Sequence, residues 1–267
     1  HPPGAATRGS AATGHEPEGG TVVGLKLKVG VATDKGLVRE RNEDAAAVDG
    51  WVLQHDHSAP TELVLDGSGV HRLAVCDGMG GHLGGATASL MAAQELTRID
   101  GPEVPDHVNQ VSARLVAAGH EDPALFGMGT TAVLLETSPE GQGSVFHVGD
   151  SRAYLADPEL IRLTSDDRSS AHLPLLTQVL GGNDPQPLDV HRYDLSLHTG
   201  QRLLLCSDGL VDMVSDGEIE TILAGPDAPA ALVGAAKRAG GQDNVTVMVV
   251  EVLDSPVERI SPDDLHL

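Results

Sequence analysis

Leu73-Ala74-Val75-Cys76-Asp77-Gly78-Met79-Gly80-Gly81-His82 carries an apolar run that stops at one carboxylate and a glycine cluster. Such a run predicts a buried strand bounded by a turn. Asp77 then stands at a strand end, beside backbone with little side-chain bulk. Carboxylate and carbonyl oxygens suit a hard dication. Asp-Gly is equally an ordinary turn dipeptide. The stretch alone supports both readings, and its neighbours in the chain separate them.

The same pattern returns. The strand predicted at 202–206 runs into Ser207-Asp208-Gly209. Gly149-Asp150-Ser151-Arg152 lies between two apolar strands, where a hairpin turn also explains it. Asn42-Glu43-Asp44 and Gln242-Asp243-Asn244 each run directly into a strand. Gathered in one pocket, these carboxylates would resist joint ionisation unless cations joined them. All-oxygen ligation selects Mg²⁺ or Mn²⁺ over zinc. Arg39 precedes Glu43 by four residues. Its planar guanidinium can grip two phosphate oxygens, or pair with Glu40 or Glu43.

Bulk properties exclude several function classes. Seventeen Lys and Arg against 39 Asp and Glu give a formal charge of -22 over 267 residues. No basic stripe for nucleic acid is visible, and an anionic membrane surface would repel the chain. No apolar run approaches the length of a membrane span. The two cysteines, Cys76 and Cys206, make neither a disulfide framework nor a zinc pattern, which fits a reducing cytoplasm. With aromatics at 2% and hydrophobics at 40%, the core must be Val, Leu, Ile and Ala.

Residues 1–20 lack periodicity and are expected to be disordered, and 254–267 to be a flexible tail. Nothing in composition divides 21–253, which reads as one domain. Periodicity predicts a half-exposed strand over 25–31, a polar loop or hairpin over 54–70 with His55 and His57 exposed, and helices over 86–99 and 106–119. It also predicts a short helix near 174–180, a helix capped by Ser215 with Glu218 three residues on, and a helix over 228–239.

Six motifs in order carry a resemblance: Arg39-x-x-Asn42-Glu43-Asp44, Asp77-Gly78-Met79-Gly80-Gly81, Gly127-Met128-Gly129-Thr130-Thr131, Gly149-Asp150-Ser151-Arg152, Ser207-Asp208-Gly209 and Asp243-Asn244-Val245-Thr246. Together they resemble the metal-dependent protein phosphatases (type 2C, PPM), in their bacterial serine/threonine branch. No one motif is specific, whereas the ordered set spanning nearly all of 24–253 is. The resemblance implies an α+β fold, a four-layer αββα sandwich of two antiparallel sheets flanked by helices. It implies that Asp77 bridges two Mn²⁺ or Mg²⁺ ions, that the Gly78 carbonyl completes the first, and that Asp208 and Asp243 complete the second. Glu43 and Asp44 resemble outer-shell acids, Arg39 the phosphate clamp, and Asp150 a ligand of a third, weaker site. Asn244 takes a supporting position.

The implied reaction is hydrolysis of phosphoserine and phosphothreonine proteins by a metal-bridging water, without a phosphoenzyme. A cognate serine/threonine kinase or its targets are the partners such a family suggests, with anti-sigma-factor-type regulators as another set. Two departures stand out. Met79 occupies a place where many eukaryotic relatives carry a histidine, and a thioether cannot donate a proton; His82 is near in sequence only. The segment after Asp166-Asp167 is shorter than the flap of many bacterial relatives, which bears on the third site. Two other readings compete: a pseudo-enzyme that keeps the fold, and an acidic metal-binding structural module. The latter leaves Arg39 and the six-part order unexplained.

Overall fold

Alternation along the strands sorts the chain into four layers. The computed structural model describes residues 24–80, 83–98, 103–170 and 173–254. The expectations for 1–20, for the tail beyond 254 and for His82 lie outside those residues. In chain order the strands are β1 (Lys26–Asp34), β2 (Asp44–Val48), β3 (Trp51–Leu53), β4 (His57–Leu65), β5 (His71–Met79), β6 (Gly129–Thr130), β7 (Ala132–Thr137), β8 (Gln142–Val148), β9 (Arg152–Asp157), β10 (Glu159–Arg162), β11 (Arg168–Ser170), β12 (Leu173–Leu176), β13 (Leu180–Gly181), β14 (His191–Ser196), β15 (Arg202–Cys206) and β16 (Val245–Asp254). The helices are α1 (Gly84–Leu96), α2 (Val104–Glu121), α3 (Asp208–Val211), α4 (Asp216–Leu223) and α5 (Ala228–Arg238).

One sheet has the order β10-β9-β15-β16-β1-β4, and the other β13-β6-β5-β7-β8-β14 with β2 and β3 beside β5. Every pairing is antiparallel. The inner faces meet in one apolar layer that includes Val29 and Val31, Leu73 and Val75, Val133 and Leu135, Leu203 and Leu205, and Met248 and Val250. The alternate residues face outward. Ala74 and Cys76 pack under α1 and α2 with Ala88, Ala92 and Leu115. Leu204, Cys206, Val247 and Val249 pack under the other helices with Ile219 and Leu232. Each fully buried Leu or Val adds about 1.5–3 kcal/mol, so these three layers drive the fold. The two cysteines end in opposite outer layers, both free.

Several expectations change in detail. Residues 57–65 form strand β4 on the edge beside β1, within the stretch expected to be a polar loop or hairpin. Leu63 and Leu65 reach the inner core there, an alternation that the surrounding His, Asp and Gly masked in the sequence. The expected helix near 174–180 is instead the hairpin strand β12 followed by β13, because β11 and β6 supply hydrogen-bonding edges. Strand β1 is covered on both faces: Gly30 lies against Pro229 of α5. Helix α2 runs past Gly119, which packs against the Leu125–Phe126 backbone. Ser215 caps α4, its side chain accepting from Glu218 N at 3.4 Å.

Candidate metal centre and active-site cleft

At one end of the sandwich the inner apolar layer turns polar within a single step along each strand. Two residues beyond Val31 lies Thr33; beyond Val75, Asp77; before Ala46, Asp44; before Val133, Thr131; beyond Leu205, Ser207; and before Met248, Thr246. Strand alternation therefore aims all of them into the space between the sheets. A buried hydroxyl without a partner costs about 1–3 kcal/mol, and these are paired. Thr33 Oγ1 lies 2.6 Å from Thr246 Oγ1, and Thr131 Oγ1 2.6 Å from Ser151 Oγ. The layer forms the floor of a cleft of about 760 Å³ lined by Arg39, Glu43, Asp77, Gly78, Asp150, Asp208 and Asp243. Of the expected site residues, only Asp44 is absent from its walls, being fully buried beneath them.

Asp77 and Asp44 face each other across the β2–β5 pairing. The backbone of Asp77 is held on both sides, its N–H donating to Thr131 Oγ1 at 3.1 Å and its carbonyl accepting from Thr130 Oγ1 at 2.9 Å. Asp44 Oδ2 accepts from Ser207 Oγ at 2.7 Å, while Oδ1 has no hydrogen-bond partner. Burial pushes the Asp77 carboxyl well above the usual range, and the charges of Asp44, Asp208 and Asp243 push it further. Burial raises Asp44 to about 6. Burial, then Asp150 and Asp212, raise Asp208 to about 7. This is the electrostatic state of carboxylates built to meet cations.

Close backbone approach explains the glycines. A Cβ on Gly78 would overlap the Gly85 and Glu43 carbonyl oxygens, and a Cβ on Gly85 would overlap the Glu43 carboxylate and Gly78. The end of β5, the start of α1 and Glu43 thus share one small volume. Asn244 secures the loop that carries Arg39. Its Oδ1 accepts from Glu43 N at 2.8 Å, and its Nδ2 donates to Arg41 O at 2.8 Å and Lys35 O at 3.0 Å.

Arg39 pairs with a carboxylate far along the chain. Its Nη2 donates to Asp243 Oδ2 at 2.6 Å, with the side chain 57% exposed at the cleft mouth. A second guanidinium, which the sequence did not single out, lies deeper. Arg168 donates through Nε to Asp150 Oδ2 at 2.8 Å and through Nη2 to Asp208 Oδ2 at 3.1 Å. Asp212 is 4.0 Å from the same nitrogen. Arg168 directly follows Asp166-Asp167; the pairing eighteen residues back was invisible to periodicity. Arg152 forks onto both oxygens of Asp166 at 3.0 and 2.9 Å, anchoring that segment. Burial raises both thiols, Cys206 to about 12, so neither is a nucleophile.

Comparison with known proteins places this architecture. The family model described as stage II sporulation protein E matches residues 67–264. The serine/threonine phosphatase stp of Listeria innocua is 30% identical over 244 residues, covering 82% of this chain and 93% of its own. This chain belongs to the bacterial metal-dependent (PPM) serine/threonine phosphatase family. Serine/threonine protein phosphatase PstP of Mycobacterium tuberculosis is a further PPM relative, 32% identical over 269 residues and 90% of this chain. The chain spans about half the length of that curated relative, 48%. The solved PstP catalytic domain, in complex with two manganese ions, superposes with a TM-score of 0.68 at 32% identity, over 86% of this chain and 100% of that one. The four layers and the antiparallel sheets are those of the PPM fold.

The donor set here fits such ions. Its carboxylates are oxygen-only, several are held above their normal pKa, and a fully buried Asp44 oxygen is left without a partner. The histidines of the described residues stand outside this cleft.

Proposed function

We propose that the chain is a phosphoprotein phosphatase acting on phosphoserine and phosphothreonine with two Mn²⁺ or Mg²⁺ ions. The observation that carries this reading is the convergence of Asp77, Asp208 and Asp243 with Arg39 in one cleft. PstP, whose catalytic domain holds two manganese ions, supports the choice of metal. Asp77 and the Gly78 carbonyl would hold one ion, with Asp77 shared to a second held by Asp208 and Asp243. When bound, such ions supply charge neutralisation and an acidified bridging water as nucleophile, so that no phosphoenzyme forms.

The chain's own residues do the rest. Arg39 binds and orients the phosphoryl oxygens from the cleft mouth, exchanging its contact with Asp243 for the substrate. Glu43 and Asp44 orient water around the centre, and Asn244 keeps the 35–43 loop in register with β16. Met79 lines the cleft without a transferable proton, so protonation of the leaving oxygen falls to solvent held by the carboxylates. Asp150, a candidate third ligand, carries the Arg168 guanidinium as its counter-charge. Substrates of this kind point to a cognate serine/threonine kinase or its targets. The free, buried cysteines fit a cytoplasmic setting, and no helix among the described residues is long and apolar enough to cross a membrane.

The test is Mn²⁺-dependent hydrolysis of p-nitrophenyl phosphate and a phosphothreonine peptide, beside Asp208→Ala and Arg39→Ala. Activity that is Mn²⁺-dependent and lost in Asp208→Ala is expected. Equal activity in Asp208→Ala would remove the proposed centre, and hydrolysis of phosphotyrosine alone would overturn the substrate class.

A further inference from the structure

The polar layer extends across the second sheet to a nitrogen-rich cluster outside the cleft. His147 and His191 are register partners on β8 and β14. Each lies two residues along from a residue at the inner core, Val145 and Tyr193. Both rings therefore point to the inner side of the sheet, stacked with centroids 5.9 Å apart at 28°. Asp167 reaches them from the segment between β10 and β11. One ligand atom from each of the three lies within 4.8 Å of the others.

An ordinary hydrogen-bonded pair accounts for part of this. His191 Nε2 is 2.9 Å from Asp167 Oδ1, and Asp167 Oδ2 accepts from Gly149 N at 2.9 Å. That leaves His147 unexplained. It is 1% exposed, and neither Nδ1 nor Nε2 makes a hydrogen bond, with the Ser151 backbone acting on the ring only weakly. A buried imidazole with both nitrogens orphaned is unfavourable unless something else meets it. Burial lowers the His147 pKa to about 4, so the ring is neutral and its lone pair is available.

We propose that His147, Asp167 and His191 form a separate site for a nitrogen-preferring dication of the Zn²⁺ class. Two imidazoles and one carboxylate match a three-ligand zinc site with an open fourth position. The donor types also separate it from the oxygen-only cleft, which selects Mg²⁺ or Mn²⁺. Gly149 N already fixes the free oxygen of Asp167, as a ligating carboxylate requires. Binding exchanges the His191–Asp167 hydrogen bond for two metal contacts, with the His191 proton moving to Nδ1. The site does not depend on the phosphatase reading.

Zinc content of the whole chain, titrated with Zn²⁺ in excess Mg²⁺ and freed of loose metal by gel filtration, tests this. Wild type should retain one zinc per chain more than His191→Gln, a half-buried variant on an edge strand. Asp208→Ala should retain that zinc, since the cleft is not its site. Equal zinc in wild type and His191→Gln, or loss of the zinc in Asp208→Ala, overturns the proposal. Should His191→Gln fold poorly, the imidazole ¹⁵N spectrum of wild type decides: zinc should shift a ring nitrogen of both His147 and His191, and unmoved resonances at saturating Zn²⁺ overturn it.

Discussion

Arg168 Nη2 lies 2.7 Å from Asp150 Oδ2, so a guanidinium supplies the positive charge beside that buried carboxylate. The same group reaches Asp208 at 3.1 Å. Arg168→Ala leaves Asp150 without its counter-charge. Metal-free protein should lose about 2 kcal/mol of stability, the cost of a buried group left unpaired. Excess Mn²⁺ should recover most of that loss, because a cation can take the vacated place. Chemical denaturation of both proteins with chelator and with Mn²⁺ checks this; an Arg168→Ala deficit unchanged by Mn²⁺ would contradict it.

Asp208 should cost stability without metal and contribute it with metal. Its folded pKa of about 7 lies above the ordinary carboxylate value. The folded state therefore holds the proton more tightly than the unfolded chain. Stability falls as pH rises from about 4 through 7, and the penalty is complete above pH 7. In chelator at pH 8, Asp208→Asn should melt at or above the wild-type temperature, with the gap closing towards pH 4. In Mn²⁺ the order should reverse. Thermal melts at the two pH values, with and without metal, read both signs.

Asn244→Ala removes three hydrogen bonds, to Glu43 N, Arg41 O and Lys35 O. The loop carrying Arg39 and Glu43 loses its tie to β16. Activity or Mn²⁺ affinity should fall about 10- to 100-fold, the range for supporting residues around a metal. Steady-state kinetics across a Mn²⁺ series measures it, and Asn244→Ala matching wild type would remove the positioning role.

His71 offers a pH test remote from the cleft. Its Nδ1 is 2.6 Å from Asp49 Oδ2, and Nε2 is 2.7 Å from Asp66 O. The Asp49 hydrogen bond first, then the Asp66 carbonyl, raise its pKa above 6.5. The protonated ring contributes fully below pH 6.5, and the contribution is lost as pH rises through the raised folded value. His71→Gln should thus cost about 1 kcal/mol at pH 5.5 and clearly less at pH 9. Denaturant midpoints at the two pH values show whether the gap narrows.

Much of this was legible because strand ends are local. The apolar run before Asp77 and the one before Asp208 announced β5 and β15, each with its carboxylate. Where the helical pattern was clear it placed α1, α2 and α5 within a few residues. It failed at β12, a strand because β11 offers an edge to pair with, and it left β4 open between loop and hairpin where β1 offers an edge. Arg39 pairs with Asp243, 204 residues on, a contact that no local spacing encodes.

Which residues face inward was written in the order of the chain, since alternation along each strand is a local property of extended backbone. It also supplied the oxygen-rich chemistry of the cleft. Which inward residues meet was set by how the two sheets pack. Arg168 against Asp150 and Asp208, and His147 beside His191 and Asp167, arise from sheet register and from loops crossing between layers. Those contacts join strands far apart in the chain, and no periodicity encodes a distance that the packing of two sheets creates.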